Sequence, residues 1–344
     1  MTPAEQNTAT LTPFLHGVEI GKAIGHLNLT LVPLRGGRRE HLDYMPGSEA
    51  IADGTLTITE VSEGGSVPEL LALNEGPAMI LLLDGEELVG AKQNRILNTS
   101  VLLPPKSRTK IPVSCVEQGR WHSISEGFKS GSHSHARLRA HKSRDVTRNL
   151  TETGEARSDQ SRVWEEVACL SHETAVNSAT SAMSDVVKQH RGTIDGYVNA
   201  LKYPEGSCGI IAAINGRFVA LDLMDRAQTL AAIWDRLLSG YSMDALMNSQ
   251  DKEAAGAFTA KGAKALLEHL AEIPCKPCPT VGLGEDWRFE AADVLGQALI
   301  VDNVCVHLSA FPNEPAEQRD GQSIQPPSAR RRVRRRGGGE ETVY

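Results

Sequence analysis

Aromatic residues are scarce in this chain of 344 residues, at 4% of the total. A core made from such a sequence is mainly aliphatic. No apolar run approaches the roughly 20 residues needed to span a bilayer as a helix. The first residues, MTPAEQNTATLTPF, lack the cationic start and apolar stretch of a secretory signal, so a cytoplasmic address is expected. Of the compact catalytic motifs, no Walker loop, nucleophile elbow or HExxH is found. The Gly282-Leu283-Gly284 turn is too short for a dinucleotide fingerprint. The six cysteines, at 115, 169, 208, 275, 278 and 305, are expected to be reduced thiols, because no secretory signal precedes them.

The composition itself is that of a soluble globular body, with 40% hydrophobic and 23% charged residues. The length suits two domains or one large one. The net charge of −7 is unevenly spread. Residues 330–344 hold six Arg and two Glu, or +4, so the remainder carries −11. An acidic body with a basic tail does not suggest a dedicated nucleic-acid-binding domain. The tail itself suits nonspecific contact with a polyanion through counterion release.

Periodicity predicts many short strands and several helices. Residues 25–34 read as a strand, with Leu27, Leu29 and Leu31 on one face. Short β-like runs follow at 56–61, 69–73 and 78–83, separated by Gly, Pro and Asn turns. Residues 122–162 are polar, with GFKSGSHSH at 127–135 read as a loop and 136–149 as a basic helix. Val163, Trp164, Val167 and Leu170 form a helical stripe. Asn215-Gly216 between two apolar runs marks a type I′ hairpin. A further helix is expected over 225–238, and terminal strands at 287–289, 298–301 and 304–308. The fold class expected is α+β. A sandwich-like or barrel-like antiparallel sheet, built from the N-terminal half and the C-terminal strands, would carry the helical middle. The organisation expected is a flexible 1–24, a β-rich core over 25–121, an α/β segment over 122–312 and a disordered Arg-rich tail over 313–344.

The densest chemistry lies between Leu81 and Trp121. An acidic turn at 84–87 leads into Lys92-Gln93-Asn94-Arg95, then a β-rich run, then Cys115, Glu117, Arg120 and Trp121. Carboxylates, cations, amides and a thiol alternate there with Val, Ile and Leu, as in strands that converge on a partly enclosed polar site. Were 86–98 extended, each of its two faces would mix acid, cation and amide. Lys92 or Arg95 suits a phosphate, Arg in bidentate fashion, with Arg120 close by. Gln93, Asn94 and Asn98 suit hydroxyls. Glu86, Glu87 or Glu117 is the candidate general acid or base, and Cys115 a candidate nucleophile. Against this stands a buried structural network for the charges, a small core cysteine for Cys115, and a core position for Trp121 with base stacking as the alternative.

Weaker candidates are the Cys275-Lys276-Pro277-Cys278 spacing, which lacks two further zinc ligands, and His133 and His135 in a serine-rich segment read as solvated. No metal site and no cofactor is assigned by these residues.

The stretches GTLTITEV at 54–61, GSVPEL at 65–70, DGEELVGAKQNRILN at 84–98 and IPVSCVEQGRW at 111–121 together resemble one family. This is the bacterial domain named for its association with ADP-ribosylglycohydrolases and with rhodanese- and phosphatase-superfamily proteins. The resemblance extends through IWDRLLSGYSMDAL at 233–246 and spans roughly 25–311. It implies work around NAD and ADP-ribose, with a small anionic nucleotide-like ligand, and leaves open whether the role is hydrolysis, transfer or binding. It carries no catalytic assignment. The rival expectation is a noncatalytic interaction module whose polar cluster is structural.

Overall fold

The computed structural model describes residues 9–37, 41–62, 64, 66, 68–249 and 257–313. The Arg-rich tail lies outside the described residues.

Two antiparallel sheets carry the chain. The larger has nine strands and is drawn from both halves of the sequence. Its order is Val18–Ile20, Leu29–Gly36, Gly209–Ile214, Arg217–Met224, Val304–Pro312, Val294–Val301, Glu285–Glu290 and Lys276–Pro279, with Ile24–His26 also on Leu29–Gly36. The second has six strands, ordered Phe128–His133, Glu86–Gly90, Arg95–Leu97, Ser107–Cys115, Glu69–Asn74 and Leu56–Glu60. Its two edge strands lie against each other, so it curls toward a barrel around Leu56, Ile58, Leu70, Leu88, Leu97, Ile111 and Val113. A three-stranded sheet of Val101–Leu103, Met79–Leu82 and Tyr44–Pro46 sits between them, its last pair parallel. The fold is α+β.

The central strands of the large sheet are buried on both faces, which is why they read as continuous apolar runs. Ile210 faces one side with Leu29 and Leu31, and Ile211 the other with Val32 and Leu34. The first side is covered by the helix Ala227–Met247, whose Leu230, Ile233, Trp234, Leu237 and Tyr241 recur at helical spacing. The second is covered by Ala260–Glu272 through Leu267 and Leu270, and by Phe14. The 209–224 hairpin turns through Asn215 at φ 50° and Gly216 at φ 77°, the two left-handed positions of a type I′ turn.

Four local expectations are corrected. The flexible N-terminus expected up to residue 24 is partly built in. Leu11, Phe14 and Leu15 are buried around the helix Thr12–Leu15, and Val18–Ile20 pairs with Leu29–Gly36. Leu27 is not on the apolar strand face with Leu29 and Leu31. It sits in the turn after Ile24–His26 at φ 52° and is 78% exposed. Residues 128–133, read as loop, form a strand, because Ser130 and Ser132 donate to buried Glu86 and Glu87 rather than to water. His133 and His135 are buried, not solvated, and burial lowers both to about 3, so they are neutral at physiological pH.

Where the pieces meet, a polar network replaces apolar core. Arg139, on the helix Ala136–Glu152, donates from Nε to Asp84 (3.1 Å) and from both Nη atoms to Asp222 (2.9 and 2.6 Å). Lys142, one turn on, pairs with Asp84 and donates to the carbonyls of Leu97 (2.8 Å) and Asn98 (3.1 Å). His307 lies 3.0 Å from Asp222 by Nε2 and 2.7 Å from Ser100 by Nδ1, and Tyr241 also donates to Asp222. Burial alone would raise Asp222 and Asp84. Arg139 reverses this at Asp222, and Lys142 with Arg139 reverses it at Asp84, so both stay ionised.

Candidate functional site

The run 86–98 is a hairpin, not one extended strand. Glu86–Gly90 pairs back onto Arg95–Leu97, with Glu87 opposite Ile96 and Leu88 opposite Arg95. Pairs opposite each other share a face. Glu87 therefore faces the helices that cover Ile96, whereas Arg95 shares the Leu88 face inside the curled sheet. The sequence candidates are thereby divided over two faces and the turn between them.

The turn is clamped by Arg120. Its guanidinium meets Glu117 at 2.9 and 2.5 Å, the carbonyl of Ala91 at 2.6 Å, that of His122 at 3.2 Å, and Asn94 Oδ1 at 3.2 Å. Glu117 also accepts from the Asn94 N–H (3.2 Å) and the Thr180 hydroxyl (2.9 Å). Burial would raise Glu117. The hydrogen bonds from Arg120 and Thr180 outweigh it and hold the carboxyl below its ordinary range. Ala91 is held at φ 38°, a left-handed position costly for a residue with a Cβ, and the bond from Arg120 secures it.

Glu86 and Glu87 are buried apart from this clamp. Glu86 accepts from the Leu83 N–H (3.3 Å) and the Ser130 hydroxyl (3.2 Å), and burial raises it. Glu87 accepts on one oxygen from Ser132 Oγ (2.7 Å) and N–H (3.3 Å), while its other oxygen has no hydrogen-bond partner among the described residues. Burial lifts Glu87 to about 7 against the Ser132 bonds. Gly131 allows this approach, since a Cβ there would lie 2.8 Å from Glu87 Oε2. Cys115 is fully buried opposite Arg95, and burial pushes its thiol up to about 11, so it is protonated near neutrality. Asn98 ties strand to loop, accepting from Ser114 (2.7 Å) and donating to the Ala156 carbonyl (3.1 Å).

Lys92, Gln93 and Arg95 gather on the remaining side with partners the sequence did not single out. Arg95 is fully buried. Its Nη1 donates to the Gln93 carbonyl (3.3 Å) and side chain (3.1 Å), but its Nε and Nη2 make no hydrogen bond among the described residues. Glu60 Oε1 stands 3.8 Å from Arg95 Nη2, within ion-pair reach but too far for a hydrogen bond, and Glu60 Oε2 has no hydrogen-bond partner either. Beside them opens a recess of about 470 Å³, walled by Glu60, Ala91, Lys92, Ser123, Ile124 and Ser125 among others. Trp121, two residues before the wall residue Ser123, is 49% exposed, with Lys92 Nζ, itself at the wall, and Arg95 Cζ each 5.7 Å from a Trp121 ring centroid. Glu60 falls within the GTLTITEV stretch, where strand alternation gives it no site role, and only pairing across the curled sheet brings it to Arg95.

Cys275 and Cys278 do not converge. Cys275 packs with Phe14 and Phe289, and Cys278 with Val146 and Leu150. No helix among the described residues is long and apolar enough to cross a membrane.

An α+β body with a curled sheet and a cation-flanked, half-exposed tryptophan beside an open recess is the class that fold and site define. The family model of the ARG and Rhodanese-Phosphatase-superfamily-associated Protein domain matches residues 17–311, and the chain belongs to that family. No curated protein and no solved structure matches it.

Proposed function

We propose that the protein recognises an ADP-ribose- or NAD-derived sugar-phosphate ligand in the recess beside Trp121. The observation that carries this reading is the gap between Arg95 and Glu60. Arg95 Nε and Nη2 and Glu60 Oε2 have no hydrogen-bond partner among the described residues, and Glu60 Oε1, which accepts the Lys92 N–H at 3.4 Å, stands 3.8 Å from Nη2. Leaving such buried groups unpartnered costs roughly 1–3 kcal/mol each. A hydroxyl both donates and accepts, so a sugar hydroxyl placed there would satisfy both sides at once. Lys92 at the wall suits the phosphate, and the exposed face of Trp121 suits a stacked base or sugar ring. Glu117, Arg120 and Asn94 act here as positioning residues that fix the turn bearing Lys92. The family's association by name with ARG proteins agrees with this ligand class.

Titration calorimetry with ADP-ribose, NAD and nucleoside phosphates tests the reading. Saturable binding is expected to at least one of them, weakened about tenfold or more by Trp121→Ala, since one stacked ring is worth about 1–3 kcal/mol. Glu60→Gln should weaken it as well, with both variants still folded by circular dichroism. Absence of heat from all of these ligands with folded protein would overturn it.

A second reading, a structural cluster in an interaction module, is favoured by the completeness of the Glu117–Arg120–Asn94 clamp. It predicts no ligand response in any variant.

A further inference from the structure

A second cavity, unrelated to the Trp121 recess, lies between the first turns of the Ala136–Glu152 helix, the 214–219 hairpin turn and the end of the Ala227–Met247 helix. Its volume is about 260 Å³. That is just below the roughly 300–1,000 Å³ of sites for drug-sized molecules, so its occupant is small. Ile214, Phe218 and Val219 form an apolar wall, and Arg217, His141 and Asp244 bring charge to it.

Most of this charge is already matched. Asp244 accepts the N–H groups of Ala136 (2.6 Å) and Arg137 (3.3 Å), capping the helix from outside. Arg137 donates to Glu166 (2.8 Å) and Glu173 (3.2 and 3.3 Å). His141 Nδ1 lies 2.6 Å from the other Glu166 oxygen. Burial would raise Glu166, but the bond and charge of His141 and the charge of Arg137 hold it at about 2, so it is a carboxylate at any neutral pH. With Nδ1 donating to that carboxylate, Nε2 is the ring nitrogen left to meet a ligand hydroxyl, which can donate to it or accept from it. Arg217 is exposed and has no acidic partner among the described residues. The cavity thus offers the exposed Arg217 guanidinium, one imidazole nitrogen and one apolar wall.

We propose that this cavity is a second ligand site, and that it takes a small organic acid with a hydroxyl next to its carboxylate. The carboxylate meets Arg217, the hydroxyl meets His141 Nε2, and the apolar body lies against Phe218 and Val219. A dianion would leave a charge unmatched, and a neutral molecule would leave Arg217 without a counter-charge.

Mandelate carries all three features. Phenylacetate lacks only the hydroxyl, and 1-phenylethane-1,2-diol lacks the carboxylate. The readout is proton NMR of the histidine rings, with the His141 signal assigned by its absence in His141→Gln. A saturable shift of that signal is expected with millimolar mandelate. About tenfold weaker binding is expected for phenylacetate, the effect of one hydrogen bond worth about 1.4 kcal/mol. The diol should give no shift. Arg217→Met should abolish the mandelate response with the other histidine signals in place, and Trp121→Ala should leave it intact. No His141 shift with mandelate, or equal affinity in Arg217→Met, overturns the site. Equal affinity for phenylacetate overturns the role of His141.

Discussion

Glu87 is buried without an ion pair among the described residues, and its protonation couples to stability. Its folded pKa of about 7 lies above the ordinary 4.5, so between these values the folded state holds a proton that the unfolded chain has lost. The contribution of this group is full below pH 4.5, falls as pH rises to about 7, and is flat beyond. Glu87→Gln is therefore expected to change little at pH 4.5 and to stabilise by up to about 3 kcal/mol above pH 7. Urea denaturation at pH 5 and pH 8 checks this, and an equal difference at both would count against it. His133 and His135 run the other way. Lowered from 6.5 to about 3, they are neutral in the fold while the unfolded chain takes up protons, so stability is lost as pH falls through that window. Between about pH 4.5 and 6.5 the histidines and Glu87 oppose each other, and the parent protein should be flatter there than Glu87→Gln.

The 86–97 hairpin depends on one side chain from outside it. Arg120→Met removes every guanidinium contact of the clamp, leaving Glu117 without its cation and Ala91 in a left-handed conformation with one support fewer. A cost of about 2–3 kcal/mol is expected by chemical denaturation, below the roughly 3–5 of a fully enclosed pair because Glu117 stands close to solvent. Ligand binding at Trp121 should weaken with it, since the turn carries Lys92. Element by element, the sequence was legible where local backbone chemistry decides. Asn215-Gly216 needs two left-handed residues and has them, and the Leu230–Leu237 stripe has helical spacing, although the helix runs on past the expected end at 238 to Met247. It was illegible where a partner distant in sequence decides. The serines of Phe128–His133 read as solvated until Glu86 and Glu87 are placed opposite them. The polar run 92–95 reads as a strand until Arg120 is seen folding it into a turn. For the same reason the candidate residues were found as a group, but their division between faces, and the meeting of Glu60 with Arg95, were not.

At the scale of the whole molecule, the Asp84–Arg139–Asp222–His307 network joins the loop ahead of the curled sheet, the Ala136–Glu152 helix and the centre of the nine-stranded sheet. Lone polar residues inside apolar strands, Asp222 in VALDL and His307 in VCVHL, were its trace in the sequence. Asp222→Asn leaves Arg139 short of one buried counter-charge and should cost about 3–5 kcal/mol. Loss should appear as one cooperative calorimetric transition moved to lower temperature, whereas a separate early transition would mean that the sheets melt independently. The pairing of Leu29–Gly36 with Gly209–Ile214 has a consequence for biosynthesis. The ribosome must add some 170 further residues before an early strand meets its neighbour. A nascent chain halted short of that point leaves one edge of Leu29–Gly36 with open backbone groups and an apolar face uncovered, a species prone to aggregate until its second half emerges.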